Sequence, residues 1–106
     1  LSNFKEGKFT PIIKGNSISN CKFNGIQVQG DGLKVAINNN TINNNRKCGI
    51  KVLDKAKADI VGRNNIHTNY NQGICIVEGS SCKIIENTIC KNLKANIAFG
   101  GKGSSE

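Results

Sequence analysis

The stretch Asn40-Thr-Ile42-Asn-Asn-Asn45-Arg-Lys-Cys-Gly49-Ile50-Lys-Val52 decides the fold. It opens on an Asn-x-Ile step and closes on a Gly-Ile-x-Val step. The opening step recurs at Asn16/Ile18, Asn64/Ile66 and Asn87/Ile89, at a constant interval that shortens by a single position only in the last copy. The closing step recurs as Gly25-Ile26-x-Val28, Gly73-Ile74-x-Ile76 and Asn96-Ile97-x-Phe99, always at the same distance from the Asn before it. A period of roughly 24 residues marks a repeat architecture, in which each unit buries its apolar face against its neighbours.

Spacing within the repeat chooses between helical and strand solenoids. Apolar residues fall two apart, as in Ile50-Lys51-Val52, which is the periodicity of a strand. No apolar i, i+3, i+4 run free of Gly and Asn is long enough for a helix. Short Ile/Val strands broken by Asn and Gly, which tolerate left-handed backbone, allow sharp corners. The expectation is an all-β chain, a right-handed single-stranded parallel β-helix of about four coils, with each repeat forming one coil.

This register predicts four inward columns: Ile13/Ile37/Val61/Ile84, Ile18/Ile42/Ile66/Ile89, Ile26/Ile50/Ile74/Ile97 and Val28/Val52/Ile76/Phe99. Each should stack at the inter-strand spacing of about 4.8 Å. Asn16, Asn40, Asn64 and Asn87 form a corner column whose amides can bond from coil to coil as a ladder. Cys21, Asn45, Asn69 and Asn92 form a second corner. The column two residues before Ile13 runs Pro11, Val35, Asp59, Cys82. Asp59 should not enter a dry core unpaired, so the third coil is expected to bulge or turn outward there.

The 106 residues fit one β-helix segment, with coils near residues 10–33, 34–57, 58–80 and 81–99 and a flexible tail at 100–106. Backward extension places Leu1 in the glycine column and Phe4 in the valine column. Four coils rise only about 19 Å, and solenoids need their ends covered. The segment is therefore expected to continue into further β-helix or to have its ends covered by a partner.

No apolar run approaches the roughly 20 residues of a membrane span, and no signal peptide opens the sequence. No membrane association is expected. Cys21, Cys48, Cys75, Cys82 and Cys90 fall in five different columns, which removes same-column bridging. The odd count and the scatter favour reduced thiols and an intracellular setting, cytoplasmic or nuclear. The single sequon at Asn39-Asn40-Thr41 overlaps the Asn corner and is a poor glycan acceptor.

The net charge of +8 raises the question of nucleic acid, because a basic face attracts phosphates without sequence specificity. Few aromatics are present, and no base-stacking platform is read from them. A solvated basic face is the simplest reading, an acidic protein partner comes next, and nucleic acid ranks last. Gly30-Asp31-Gly32 has no following helix and reads as a turn.

Catalytic chemistry finds little support. Asp54 and Glu78 form the one stacked carboxylate pair, beside variable loops, and read as a solvated rim. His67 and Cys90 share an outward column, where an imidazole could activate a thiolate, but no orienting third group or oxyanion donor accompanies them. No catalytic residue, metal site or cofactor is assigned. The return from Gly to the next Asn is one position shorter from Gly73 to Asn87 than from Gly25 to Asn40 or from Gly49 to Asn64, and the deletion is placed between Ile76 and Ile84. Loops on this side are the expected recognition rim. Gln27, Lys51, Lys55, Lys57 and Cys75 are its candidate binding residues.

The phrases Gly15-Asn-Ser-Ile-Ser-Asn20, Asn39-Asn-Thr-Ile-Asn-Asn-Asn45, Arg63-Asn-Asn-Ile-His-Thr-Asn69 and Glu86-Asn-Thr-Ile-Cys-Lys-Asn92 resemble parallel β-helix repeats. They are similar to carbohydrate-binding-and-sugar-hydrolysis repeats, and most of all to the β-helix of F-box substrate receptors. In that family the β-helix recruits substrates to a ubiquitin ligase. The resemblance implies a non-enzymatic protein-interaction module with a protein partner. A carbohydrate-binding or carbohydrate-active fragment, lyase-like or epimerase-like, is the second reading, although Pro11 lacks the Asp and His neighbours of the epimerase signature. A structural rod in a large assembly is the third.

Overall fold

A computed structural model describes residues 10–100. Twelve short strands follow one another with no helix between them. They are β1 (Ile12–Lys14), β2 (Ser17–Ser19), β3 (Ile26–Gln29), β4 (Lys34–Asn38), β5 (Thr41–Asn43), β6 (Ile50–Leu53), β7 (Lys57–Val61), β8 (Asn65–His67), β9 (Ile74–Val77), β10 (Ser81–Ile85), β11 (Thr88–Cys90) and β12 (Ile97–Gly100). Every third strand joins the same sheet, giving three parallel four-stranded sheets ordered β1-β4-β7-β10, β2-β5-β8-β11 and β3-β6-β9-β12. The chain thus winds as a solenoid of about four coils with three faces. The positions assigned to Leu1, Phe4 and the tail beyond residue 100 lie outside the described residues.

Ile42 pairs with Ile18 and Ile66, and Ile50 with Ile26 and Ile74. Ile37, Ile42, Ile50, Val52, Ile60, Ile66 and Ile74 are all completely buried. The stacking therefore fills the interior with branched aliphatic side chains, whose fit to a pleated surface is what favours strands here. Burial fades towards the outer coils. Phe99 pairs in register with Ile76 as expected, yet it is 80% exposed. Its column position is correct, but its assignment to the core is not, because the fourth coil has a described neighbour on one side only.

One inward column is corrected. Ile60, not Val61, stands between Ile37 and Ile84. The column before it accordingly reads Val35, Ala58, Cys82, and Ala58 is buried. Asp59 points outward between Ala36 and Lys83, where its carboxylate lies 3.6 Å from Lys34 Nζ.

The deletion expected between Ile76 and Ile84 falls in the link from β9 to β10, and two further length changes flank β7. Asp54 to Ala56 links β6 to β7 with one residue fewer than the link from β3 to β4, and the link from β9 to β10 is equally short. The third coil then regains a residue at the corner after β7. Gly62 and Arg63 both have positive φ there, 90° and 68°, whereas the equivalent corners have single left-handed residues at Gly15, Asn39 and Glu86. Glycine at position 62 eases this corner, because each left-handed residue that carries a Cβ adds strain.

The Asn corner forms the expected ladder. Asn16 donates from its backbone N and its Nδ2 to Asn40 Oδ1, Asn40 does the same to Asn64, and Asn64 to Asn87. The Nδ2 atoms of Asn40, Asn64 and Asn87 also donate to the carbonyls of Ile13, Ile37 and Ile60. Asn45, Asn69 and Asn92 repeat the arrangement at the second corner, with Cys21 N as the first donor. A buried amide would be costly if unpaired, and here each one links adjacent coils.

Candidate functional site

The rim read from the sequence is only partly a surface. Gln27, Lys55 and Lys57 are exposed and Lys51 half-buried, so these four can meet a partner. Cys75 cannot, because it is 1% exposed. Strand alternation does point it outward, in a column with Gln27, Lys51 and Ala98. The corner residues on either side of it, Cys48 and Gln72, are buried as well. In the first coil Asn24 reaches Gln27, Nδ2 to Oε1 2.8 Å. Cys48 occupies the place of Asn24 one coil on, donates from Sγ to Gln72 Oε1 at 3.3 Å and is itself fully buried.

The exposed end of the rim is a run of side-chain amides. Gln27 Nε2 donates to Gln29 Oε1 at 2.8 Å, and Gln29 Nε2 donates to Asp54 Oδ2 at 2.7 Å. Asp54 is thereby tied to the amide row. No group of three potential ligands that could hold a metal occurs among the described residues. His67 and Cys90 do stand opposite each other on β8 and β11, while the imidazole Nδ1 is 2.8 Å from Thr68 Oγ1.

A second surface lies at the corner after the Asn45 ladder and was not singled out from the sequence. Backbone bonds from Arg46 N to Cys21 O, Tyr70 N to Asn45 O and Leu93 N to Asn69 O place Arg46, Tyr70 and Leu93 at equivalent points of successive coils. The Arg46 guanidinium carbon lies 5.8 Å from the Tyr70 ring centre, within the range of a cation–π contact. Tyr70 is 48% and Leu93 74% exposed. With Thr68, Asn69 and Lys91 they line a shallow apolar recess of about 160 Å³. The available signal was positional: Tyr70 directly follows a ladder residue, where the backbone turns outward.

A third feature arises from the extra residue of the third coil. The Gly62–Arg63 corner opens a cleft of about 410 Å³ with Lys14, Asn38, Asn39, Val61 and Glu86. Asn38 Oδ1 is buried at this corner without a hydrogen-bond partner. Two cations and one carboxylate therefore meet in one open cleft.

Two of the thiols are held in their protonated form. Burial pushes Cys48 up to about 11, helped by neighbouring Cys75, and burial pushes Cys82 up to about 12, with Asp59 adding to it. Neither holds an appreciable thiolate fraction at neutral pH, which argues against a nucleophilic role for them.

A stack of parallel strands with three faces and Asn-ladder corners defines a β-solenoid. Residues 6–103 match the family model described as right handed beta helix region. The chain belongs to the right-handed β-helix family. No curated protein and no solved structure matches it.

Proposed function

We propose that this β-helix is a non-enzymatic protein-interaction module that binds an acidic segment of its partner. The observation that carries the reading is the Arg46–Tyr70–Leu93 column. An exposed aromatic ring and an exposed leucine stand side by side on a rigid corner, flanked by the cations Arg46 and Lys91. Exposed Tyr and Arg are the residue types that carry binding energy at interfaces. A net charge of +8 favours an acidic partner and speeds encounter. The ladder-fixed backbone orders this surface before binding, so little entropy is lost on association. The recruiting role of the F-box-type β-helices that the repeats resemble is of the same kind.

The test is selection from a randomised peptide display library, followed by binding of enriched peptides to three proteins: the wild type, Arg46→Glu/Tyr70→Ala, and Lys51→Glu/Lys55→Glu. Acidic peptides should be enriched, and the first variant should lose at least tenfold in affinity. Loss only in the second variant moves the site to the Gln27–Lys51 rim. Failure to enrich any acidic sequence would sink the proposal.

The Gly62–Arg63 cleft favours one second reading, carbohydrate binding. Lys14 and Arg63 can receive an acidic group of a sugar, and Glu86 can accept a hydroxyl. An array of neutral and acidic oligosaccharides tests it, with binding expected to vanish in Arg63→Ala.

A further inference from the structure

The turns that follow β2, β5, β8 and β11 span residues 20–25, 44–49, 68–73 and 91–96, and their sequences contain no carboxylate. Lys22, Arg46, Lys47, Lys91 and Lys94 all lie on them and are all exposed. Asp31, Asp54, Glu78 and Glu86 sit on other links, and Asp59 on β7.

Bonds from Lys47 N to Phe23 O, Asn71 N to Lys47 O and Lys94 N to Asn71 O align a second column beside the one that holds Arg46, Tyr70 and Leu93. It reads Phe23, Lys47, Asn71, Lys94, and Phe23 is 61% exposed. These inter-coil bonds use the backbone groups of the turns, so a partner here meets side chains and does not add a strand. Charge is uneven along the solenoid axis. The second coil presents Arg46 with Lys47, the third presents Tyr70 with Asn71 and no charge, and the fourth presents Leu93 with Lys91 and Lys94. An evenly charged polymer such as a nucleic-acid strand would find its middle contact missing.

The apolar recess lined by Tyr70 and Leu93 lies between the third and fourth coils. Coils are about 4.8 Å apart, which puts the Arg46–Lys47 pair about 7 Å from the recess along the axis and Lys94 about 2.4 Å away on the other side. An extended peptide advances about 3.4 Å per residue. Those offsets correspond to two positions and to one.

We infer, resting on the acidic-partner reading above, that this strip takes an extended peptide along the solenoid axis whose acidic residues bracket a single apolar anchor. The anchor, a leucine-sized or aromatic side chain, fills the recess between Tyr70 and Leu93. One acidic residue stands two positions to one side of it, over Arg46 and Lys47, and a second stands next to it on the other side, at Lys94. Arg46 is already held against the Tyr70 ring, which keeps its charge at the edge of the recess.

The experiment measures binding of labelled synthetic peptides of one composition to the whole chain. Two are bracketed, with cores Glu-Ser-Leu-Glu and Glu-Leu-Ser-Glu for the two chain directions, and one is one-sided, with core Glu-Glu-Ser-Leu. The better bracketed peptide should bind about tenfold more tightly than the one-sided peptide. Lys94→Glu should cost about tenfold on that peptide and little once its Glu beside the Leu is replaced by Gln, and Lys47→Glu should do the same for the distant Glu. All three positions are exposed, so the variants keep the fold. Equal binding of bracketed and one-sided peptides, or losses in the variants that ignore which Glu is present, would overturn the bracketed arrangement and leave the acidic-partner reading standing. Binding of no acidic peptide, or tighter binding of an oligothymidylate strand, would overturn both.

Discussion

Asn64 Oδ1 receives two hydrogen bonds from Asn40, one from the backbone N at 2.9 Å and one from Nδ2 at 3.1 Å. Asn64 in turn donates from Nδ2 to Ile37 O and to Asn87 Oδ1. Both residues are buried, at 1% exposure for Asn40 and 0% for Asn64, so no water replaces a lost partner. Asn64→Ala leaves the Asn40 N–H unpaired and removes a link on each side. An unsatisfied buried group costs about 1–3 kcal/mol, and the variant should lose about 3 kcal/mol in urea unfolding. Asn16→Ala, at an exposed end of the ladder, should lose under about 1 kcal/mol. Equal losses would show that burial does not strengthen the ladder.

Gly49 is confined from three sides. A Cβ placed there would lie 2.7 Å from Gly73 O, 2.7 Å from Ile66 Cγ2 and 2.9 Å from Asn69 Nδ2. The corner packs the next coil's carbonyl and the second Asn ladder against it, which is why Gly25, Gly49 and Gly73 recur while Asn96 is accepted in the fourth coil. Overpacking of this kind costs about 1–3 kcal/mol, so Gly49→Ala should lower the melting temperature by about 10 °C. Gly32→Ala meets open space despite a φ of +84° and should cost only the left-handed backbone penalty of about 1 kcal/mol. A Gly49→Ala protein as stable as Gly32→Ala would contradict the packing at this corner.

The third coil gives a direct test of register. Ala58 is 1% exposed between Val35 and Cys82, and Asp59 faces Lys34 at 3.6 Å outside the core. Ala58→Asp buries an unpaired carboxylate and should abolish folding. Asp59→Ala removes one partly exposed ion pair and should change stability by less than about 1 kcal/mol. Circular dichroism of the two variants separates the registers, since the opposite ranking would return Asp59 to the inner column.

Most of the coil was legible because two sequence signals agree in phase. The Asn16/Asn40/Asn64/Asn87 spacing sets the corners, and Ile50-Lys51-Val52 alternation sets the faces. Three of the four predicted inward columns keep their pairings, and both Asn corners form. The third coil misled because it combines a shorter link before β7 with an extra residue after it. The two changes cancel in the count from Gly49 to Asn64, so Val61 takes Ile60's place when residues are merely counted. Cys75 misled for another reason: alternation states which way a side chain points, not whether it reaches solvent once the coils have stacked. Tyr70 and Leu93 were invisible as a pair because their proximity exists only once adjacent coils have stacked.

The raised Cys48 pKa makes stability depend on pH in one direction. The group moves from about 9 when unfolded to about 11 when folded, because burial first and the adjacent Cys75 next disfavour the thiolate. Below pH 9 both states hold the proton and the full stability is present. Between pH 9 and 11 the unfolded chain loses its proton while the folded one keeps it, so the folded state binds more protons and stability falls as pH rises. A shift of this size amounts to about 2–3 kcal/mol. Cys82 shifts in the same direction, because burial first and Asp59 next disfavour its thiolate. Melting temperatures across this range and just below it, measured under reducing conditions, should drop more steeply in the wild type than in Cys48→Ala. The difference between the two curves isolates the contribution of Cys48. Parallel curves would mean that Cys48 ionises as readily folded as unfolded, which a side chain with no exposure and a hydrogen bond to Gln72 should not do.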